Sequence, residues 1–153
     1  MRTFPADFIK SLEDVPSCNA SSLLEALGQP APVSIRVNKK KYVEQVSLES
    51  IPWTTNGYYL EQRPVFTLDP LFHAGVYYVQ EASSMFLQHV FNTLFPDKSG
   101  LRVLDACAAP GGKSTLLASL LDDNSLLVCN EHHRLRASIL AENILKWGLP
   151  QAM

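Results

Sequence analysis

The sequence predicts an α/β fold with a parallel sheet, and three observations support this prediction. An apolar run at residues 101–104 leads into a loop with two adjacent glycines, and a segment with helical spacing follows at 114–121. A second apolar run at 126–129 leads into a second helical segment at 132–147. Strands that alternate with helices are typical of parallel sheets with right-handed crossovers. Doubly wound sheets have more strands than these, so we expect the α/β domain to be incomplete in this chain.

Composition and charge are those of an ordinary globular protein. The chain has 153 residues, of which 46% are hydrophobic and 18% charged, and its net charge is −2. There is no overall basic field, no secretory signal, and no apolar run of the ~20 residues that a membrane span requires. The three cysteines lack the spacing of a disulfide framework, and the four histidines lack metal-ligand spacing. We therefore expect reduced thiols, a cytoplasmic location and no metal.

Residues 1–70 predict a small α+β subdomain. A first short helix is expected to end near Val15, because its apolar residues fall on one face. A second helix is expected from Ser22, which begins a capping-box pattern, to Gly28. Two strands follow at 33–38 and 58–60, and residues 43–51 allow either a short strand or a short helix.

Residues 71–153 predict the first part of the α/β domain. A β-rich segment at 76–79 precedes a helix that runs from Ala82 to Leu94 and ends before a proline. The remaining predicted elements are strand 101–106, helix 114–121, strand 126–129 and helix 132–147, with Gly148 as the stop of the last helix.

The glycine loop, residues 107–113, carries the strongest functional signal. It reads Cys-Ala-Ala-Pro-Gly-Gly-Lys and joins a strand that ends in Asp105 to the start of a helix. The first backbone N–H groups of a helix have no intrahelical partner, and they attract negative groups. Lys113 stands in the first helical turn, where a cation opposes the helix dipole. This placement suggests that an anionic group binds there.

Three kinds of ligand site fit such a loop to different degrees. A P-loop for nucleoside triphosphates requires a glycine where this chain has Cys107, and the GxGxxG spacing of dinucleotide sites is absent. An S-adenosylmethionine site of the Rossmann-like type fits better. Gly111 and Gly112 allow close approach of the backbone, and Lys113 offsets the cofactor carboxylate. Glu131 follows the next strand, where an acid accepts hydrogen bonds from ribose hydroxyls. Taken alone it is better explained as a solvated carboxylate, but together with the loop the pattern favours the ligand role.

The glycine loop, together with Asp105 and the downstream Asn130-Glu131, closely resembles motifs of the Nop/Sun family of RNA cytosine-5 methyltransferases. The segments 34–38 and 77–85 also resemble that family, and the motif order near the N-terminus is similar to its bacterial members that act on ribosomal RNA. The resemblance implies a Rossmann-like S-adenosylmethionine-dependent methyltransferase domain, incomplete here, after a small α+β subdomain. It implies cofactor contacts by Cys107, Ala108, Ala109, Pro110, Gly111, Gly112, Lys113 and Glu131.

The resemblance also implies a covalent mechanism that forms 5-methylcytosine. A thiolate adds to C6 of cytosine, C5 accepts the methyl group, a base removes the C5 proton, and the thiolate leaves. The family carries its cysteines in Thr-Cys and Pro-Cys motifs, and neither dipeptide occurs in this sequence. We therefore expect the nucleophile to lie beyond this chain, Cys107 to be a packing residue of the loop, and the chain alone to be inactive.

Contacts with RNA are expected next to the first strand. Arg36, Lys39, Lys40 and Lys41 place four cations within six residues, and they are candidates for phosphate contacts, although a solvated turn is the simpler explanation. The polar residues of 80–84 either cap a helix or form a wall of the active cleft. Two other functions stay open: a non-catalytic RNA-binding module and a nucleoside-triphosphate hydrolase.

Overall fold

The computed structural model describes residues 3–42, 44, 46–148, 150 and 152–153. The chain folds as two compact units, Met1–Pro32 and Val33–Met153.

The first unit contains two helices, α1 (Ala6–Glu13) and α2 (Ala20–Gly28). The first ends near the predicted position. The second begins earlier than expected, because Asn19 and not Ser22 is the N-cap residue. The side chain of Asn19 accepts a hydrogen bond of 3.1 Å from the backbone N–H of Ser22, which satisfies one of the free donors of the first turn.

The second unit begins with a three-stranded antiparallel sheet. Its strands are β1 (Val33–Val37), β2 (Gly57–Leu60) and β3 (Tyr77–Val79), and β1 lies in the centre. Ile35 is opposite Tyr58 on one side and Val79 on the other. All three strands occur where the sequence predicts them. Most residues of β1 are buried on both faces. Phe66 packs with Ile35 and Val37 on one face, and Thr115 and Trp147 contact Arg36 on the other.

The predicted boundary near residue 70 crosses this sheet. β3 follows that boundary in the chain, yet it pairs with β1 and completes the sheet. Separate roles for residues 1–70 and 71–153 stay a prediction, whereas the compact units divide after Pro32.

The connection from β2 to β3 holds two short helices that the sequence pattern does not reveal. They are a 3₁₀ helix at Phe66–Leu68 and α3 (Pro70–His73), whose N-cap Asp69 accepts a hydrogen bond from Leu71 N. Between β1 and β2, residues 44 and 46–51 form no helix or strand beyond one isolated bridge from Ser50 to Tyr58. Val43, the start of the segment predicted as ambiguous, lies outside the described residues.

The α/β part follows the predicted order. α4 (Ala82–Leu94) precedes β4 (Arg102–Asp105), α5 (Gly112–Ala118), β5 (Leu126–Cys129) and α6 (Arg134–Trp147). β4 and β5 are parallel, with Val103 opposite Leu127, so the predicted parallel α/β arrangement is confirmed. Leu117, Leu127 and Trp147 are among the buried residues that form the core between these elements. In the part of the chain that the structure describes, no helix combines the length and apolar character of a membrane span.

Candidate functional site

The glycine loop lies at the carboxyl ends of the two parallel strands. Asp105 ends β4, and its Oδ2 accepts a hydrogen bond of 2.7 Å from the hydroxyl of Ser114 in α5. Ala108 N donates to Asn130 O at 2.9 Å, which ties the loop to the residue after β5. The carboxyl edge of a parallel sheet is where α/β proteins bind ligands. The loop is therefore anchored at the position where the sequence predicts a ligand.

Two side chains of helix α6 donate hydrogen bonds to backbone carbonyls of the glycine loop. Arg136 Nη2 donates to Ala109 O at 2.8 Å, and Asn143 Nδ2 donates to Pro110 O at 2.7 Å. These two bonds fix the loop carbonyls against α6. Gly111 has φ +110° and ψ 3°, a backbone conformation that side-chain-bearing residues rarely adopt.

The other side of the loop faces a cavity of about 240 Å³, here called the loop cavity. The opposite wall is formed by the segment from β3 into α4. It includes Gln80, Glu81 and Ser84, for which the sequence allowed either helix capping or a wall of the cleft. Tyr78 and Val79 complete that wall, and sequence reasoning missed them because a strand pattern does not reveal which face meets a distant loop. The loop residues that line the cavity are Cys107, Ala108, Ala109, Pro110, Gly112 and Lys113.

The thiols and Lys113 differ in their exposure. Cys107 and Lys113 are exposed at the loop cavity. Cys129 is half-buried, and burial raises the pKa of its thiol above the ordinary value. Among the described residues, no group of histidine, cysteine or acidic side chains could hold a metal ion.

Glu131 lies beyond the end of β5, as predicted, but its carboxylate does not line the loop cavity. Its Oε1 accepts a hydrogen bond of 2.9 Å from His133 N, and its Oε2 lies 3.5 Å from Arg136 Nη1. The N–H of His133 and then the charge of Arg136 hold the pKa of this carboxyl below its usual range. The side chain is only 3% exposed, although the residue as a whole is partly open to solvent. A carboxylate accepts about four hydrogen bonds, so acceptor capacity remains.

Arg36 differs most from its predicted role. The side chain is 0% exposed, so it offers no surface contact to RNA. Its Nε donates to Gln80 Oε1 at 2.8 Å, and its Nη2 donates to Thr115 Oγ1 at 2.6 Å. The guanidinium carbon lies 4.3 Å from the ring centroid of Trp147. Burial lowers the pKa of Arg36 to about 9.

The three predicted lysines do not share one environment. Lys41 Nζ donates to Ala74 O at 2.7 Å and to Lys146 O, so it acts as a tie between backbone segments. Lys39 and Lys40 are exposed. These two line a second cavity of about 100 Å³, here called the arginine cavity, to which Arg36 also contributes.

Comparisons with known proteins identify relatives over nearly the whole chain. A family model described as the N-terminal domain of 16S rRNA methyltransferase RsmF matches residues 4–82, and one described as 16S rRNA methyltransferase RsmB/F matches residues 92–153. Ribosomal RNA small subunit methyltransferase F of Shewanella sediminis is 32% identical over an alignment of 157 positions, which covers 94% of this chain and 33% of that protein. The protein of the same name from Pectobacterium carotovorum is 33% identical over 162 residues, covering 95% of this chain and 33% of its own length.

The fold has a counterpart among solved structures. The crystal structure of a methyltransferase homologue from Pyrococcus horikoshii superimposes with a TM-score of 0.77 at 26% identity, and the match covers 98% of this chain and 52% of that one. The chain spans about a third of the length of the curated relatives it matches.

Proposed function

Because the chain belongs to the RsmF family of 16S rRNA methyltransferases, we propose that the complete protein transfers a methyl group from S-adenosylmethionine to C5 of a cytosine in ribosomal RNA. The observation that supports this most directly is the loop cavity at the carboxyl edge of the parallel strands. The loop sequence that resembles the family's cofactor motif forms one wall of that cavity. Its volume of about 240 Å³ is below the ~300–1,000 Å³ of most small-molecule pockets, so these residues supply part of the cofactor site.

We propose that the glycine loop binds the methionine part of the cofactor. Lys113 is exposed at the cavity and supplies a positive charge for the carboxylate. Gly112 presents bare backbone to the cavity, since an added methyl group there would lie 3.5 Å from Tyr78 Cε1. Glu131 accepts hydrogen bonds from the ribose hydroxyls, which requires its carboxylate to turn away from the start of α6 and to give up its bond from His133 N.

The nucleophile of the proposed reaction is none of Cys18, Cys107 and Cys129. None of them stands in a Thr-Cys or Pro-Cys dipeptide, and burial raises the pKa of Cys129, which disfavours its thiolate. Cys107 instead forms part of the loop wall of the cavity. The cofactor, when bound, supplies the electrophilic methyl group, and the residues of this chain hold and orient it. We accordingly propose that these residues alone do not methylate RNA.

Ribosomal RNA as the substrate implies a cytoplasmic location. We propose that Lys39 and Lys40, which are exposed cations, contact the phosphates of that RNA. The curated relatives that carry the name ribosomal RNA small subunit methyltransferase F support this part of the proposal.

The test is calorimetric titration of the complete protein with S-adenosylmethionine, using Lys113→Met and the matched control Lys10→Met. Both lysines are exposed, but only Lys113 lines the loop cavity. An ion pair at about 4 Å in water contributes about 1 kcal/mol, so Lys113→Met should raise the Kd about fivefold and Lys10→Met should not change it. Absence of cofactor binding by the unmodified protein would refute the function. Binding that is indifferent to Lys113 would refute the placement of the carboxylate.

A further inference from the structure

Arg36 is a buried cation for which the described residues provide no counter-charge. The ion pairs of the described part of the chain involve Glu131 and Glu142, and none includes Arg36. Its neighbours are neutral acceptors on Gln80 and Thr115 and the ring of Trp147. Charged side chains are almost never fully buried unless they are paired, because desolvation of an unpaired charge is costly. Among the described residues, no acidic side chain neutralises the buried charge of Arg36.

One nitrogen of the guanidinium is also unused. Nε and Nη2 donate hydrogen bonds, whereas Nη1 is buried and has no protein acceptor. A buried donor that lacks an acceptor costs about 1–3 kcal/mol, and more when it is charged. An acceptor that also carries negative charge would remove both penalties at once.

The arginine cavity offers the space for such a group. Arg36 contributes to its lining, and Lys39 and Lys40, from the turn after β1, line it and are exposed to solvent. Its other polar walls are hydroxyl and amide groups, and no described acidic side chain lines it. Its volume of about 100 Å³ equals roughly three waters at about 30 Å³ each, which is also room for one tetrahedral oxyanion.

Several of the neutral groups in the wall are already held by other partners. Gln88 Nε2 donates to Thr55 Oγ1 at 3.0 Å, and Asn56 Nδ2 donates to Val37 O at 2.7 Å. Lys39 and Lys40 are therefore the strongest donors on the solvent side of the cavity, and Arg36, which is 0% exposed, is the charged residue on its buried side. Guanidinium and ammonium groups in combination are typical of phosphate recognition.

We propose that the arginine cavity binds a phosphate group, with Arg36 Nη1 donating from the buried side and Lys39 and Lys40 from the solvent side. The phosphate is either a phosphodiester of the RNA backbone or a free phosphate ion, and the RNA source rests on the function proposed above. Arg36 thus contacts phosphate inside a cavity, in contrast to the surface contact that the sequence predicts.

The first experiment uses inorganic phosphate as the probe. Thermal unfolding of the chain is followed against phosphate concentration at constant ionic strength, with chloride as the balancing anion. Phosphate should raise the midpoint saturably, and at a hundred times its Kd the stabilisation is about 2.7 kcal/mol. The double variant Lys39→Ala/Lys40→Ala changes only exposed side chains, so it should fold, and it should lose most of the phosphate-specific shift. Lys10→Ala, another exposed lysine, should retain the full shift.

The second experiment identifies the source of the phosphate. RNA affinity of the complete protein is measured against salt concentration. Each phosphate of a single strand that the protein neutralises contributes about 0.7 to the slope of log K against log salt. The cavity holds one phosphate, so the double variant should lower the magnitude of the slope by up to about 0.7 if RNA supplies the group. An unchanged slope together with a phosphate shift assigns the cavity to the free ion.

The proposal is overturned if phosphate does not specifically raise the unfolding midpoint of the unmodified chain, or if the double variant retains that rise. A crystal grown in phosphate that shows only water in the cavity would overturn it as well. Titration with S-adenosylmethionine separates this failure from failure of the proposed function, since the double variant leaves the loop cavity intact.

Discussion

Addition of one methyl group at either of two adjacent glycines should give opposite effects on stability. Gly111 has φ +110°, whereas Gly112 begins α5 and is not in the positive-φ region. A Cβ at Gly111 would lie 3.4 Å from atoms of Asn143 and Leu140, and a Cβ at Gly112 would lie 3.5 Å from Tyr78. Both positions have room, so the backbone conformation decides the outcome.

The magnitudes follow from that difference. A side chain held outside its allowed backbone regions costs about 1–3 kcal/mol, which is the expected loss for Gly111→Ala. Gly→Ala without strain stabilises by about 0.4–1 kcal/mol, chiefly because the unfolded chain loses freedom, and this is the upper limit for Gly112→Ala. The free energies of unfolding of the two variants should differ by about 1–4 kcal/mol, the loss at Gly111 plus a gain of up to about 1 kcal/mol at Gly112.

Urea unfolding monitored by tryptophan fluorescence measures this difference, and Gly111→Ala and Gly112→Ala are each other's controls. Equal destabilisation by both changes would refute the reasoning from φ. Cofactor binding adds a second test, because only the methyl group at Gly112 points towards the wall of the loop cavity formed by Tyr78 and Gln80. Overpacking costs about 1–3 kcal/mol, so Gly112→Ala should raise the Kd for S-adenosylmethionine about 5- to 150-fold. Unchanged affinity would show that the cofactor lies elsewhere.

Two further predictions concern polar contacts near the ends of the strands. Ser114→Ala removes the 2.7 Å hydrogen bond to the carboxylate of Asp105, and it should lower the free energy of unfolding by about 1.5–3 kcal/mol, whereas Ser138→Ala on the exposed face of α6 should change it by less than about 0.5 kcal/mol. Hydrogen bonds from the hydroxyls of Ser125 and Ser99 lower the pKa of Asp122 from 3.8 to about 2. A carboxyl group whose pKa is lowered in the folded state stabilises that state above pH 3.8, and this stabilisation is lost as the pH falls towards 2. The difference in free energy of unfolding between the protein and Asp122→Asn should therefore disappear in that interval. A gap that is constant with pH would contradict this.

Local sequence patterns were sufficient for the order of the elements. Apolar runs followed by helical spacing predicted β4, α5, β5 and α6 in that order, and Gly148 stops α6 with φ +75°. These features depend on residues a few positions apart, so a single sequence contains the information. The position of the glycine loop at the carboxyl edge of the strands follows from the same order.

Boundaries were less certain where two local signals compete. The capping-box pattern at Ser22 predicted the start of α2, but Asn19 supplies the cap and the helix begins at Ala20. Both residues are favourable N-caps, and the side chain of Asn19 makes the capping bond to Ser22 N in the folded chain.

Arg36 and Glu131 depended on tertiary structure. Successive residues of a strand point to opposite faces, so Arg36 lies on the face of β1 opposite Ile35, and an isolated strand leaves such a face in water. In the folded chain, β2 and β3 flank β1, and α5 with Trp147 covers the face of Arg36, so the cation is buried. Glu131 occupies the predicted strand end, but the N–H of His133 directs its carboxylate towards α6.

The sequence by itself determined which elements form and at which edge the loop lies, because periodicity and turn chemistry act over short separations. Only the tertiary structure decided which side chains meet across the sheet and which charges lose their water, because those contacts join residues far apart in the chain, as in the bond from Arg36 to Thr115, 79 positions away. That burial changes the predicted surface contact of one arginine into a donor inside a cavity.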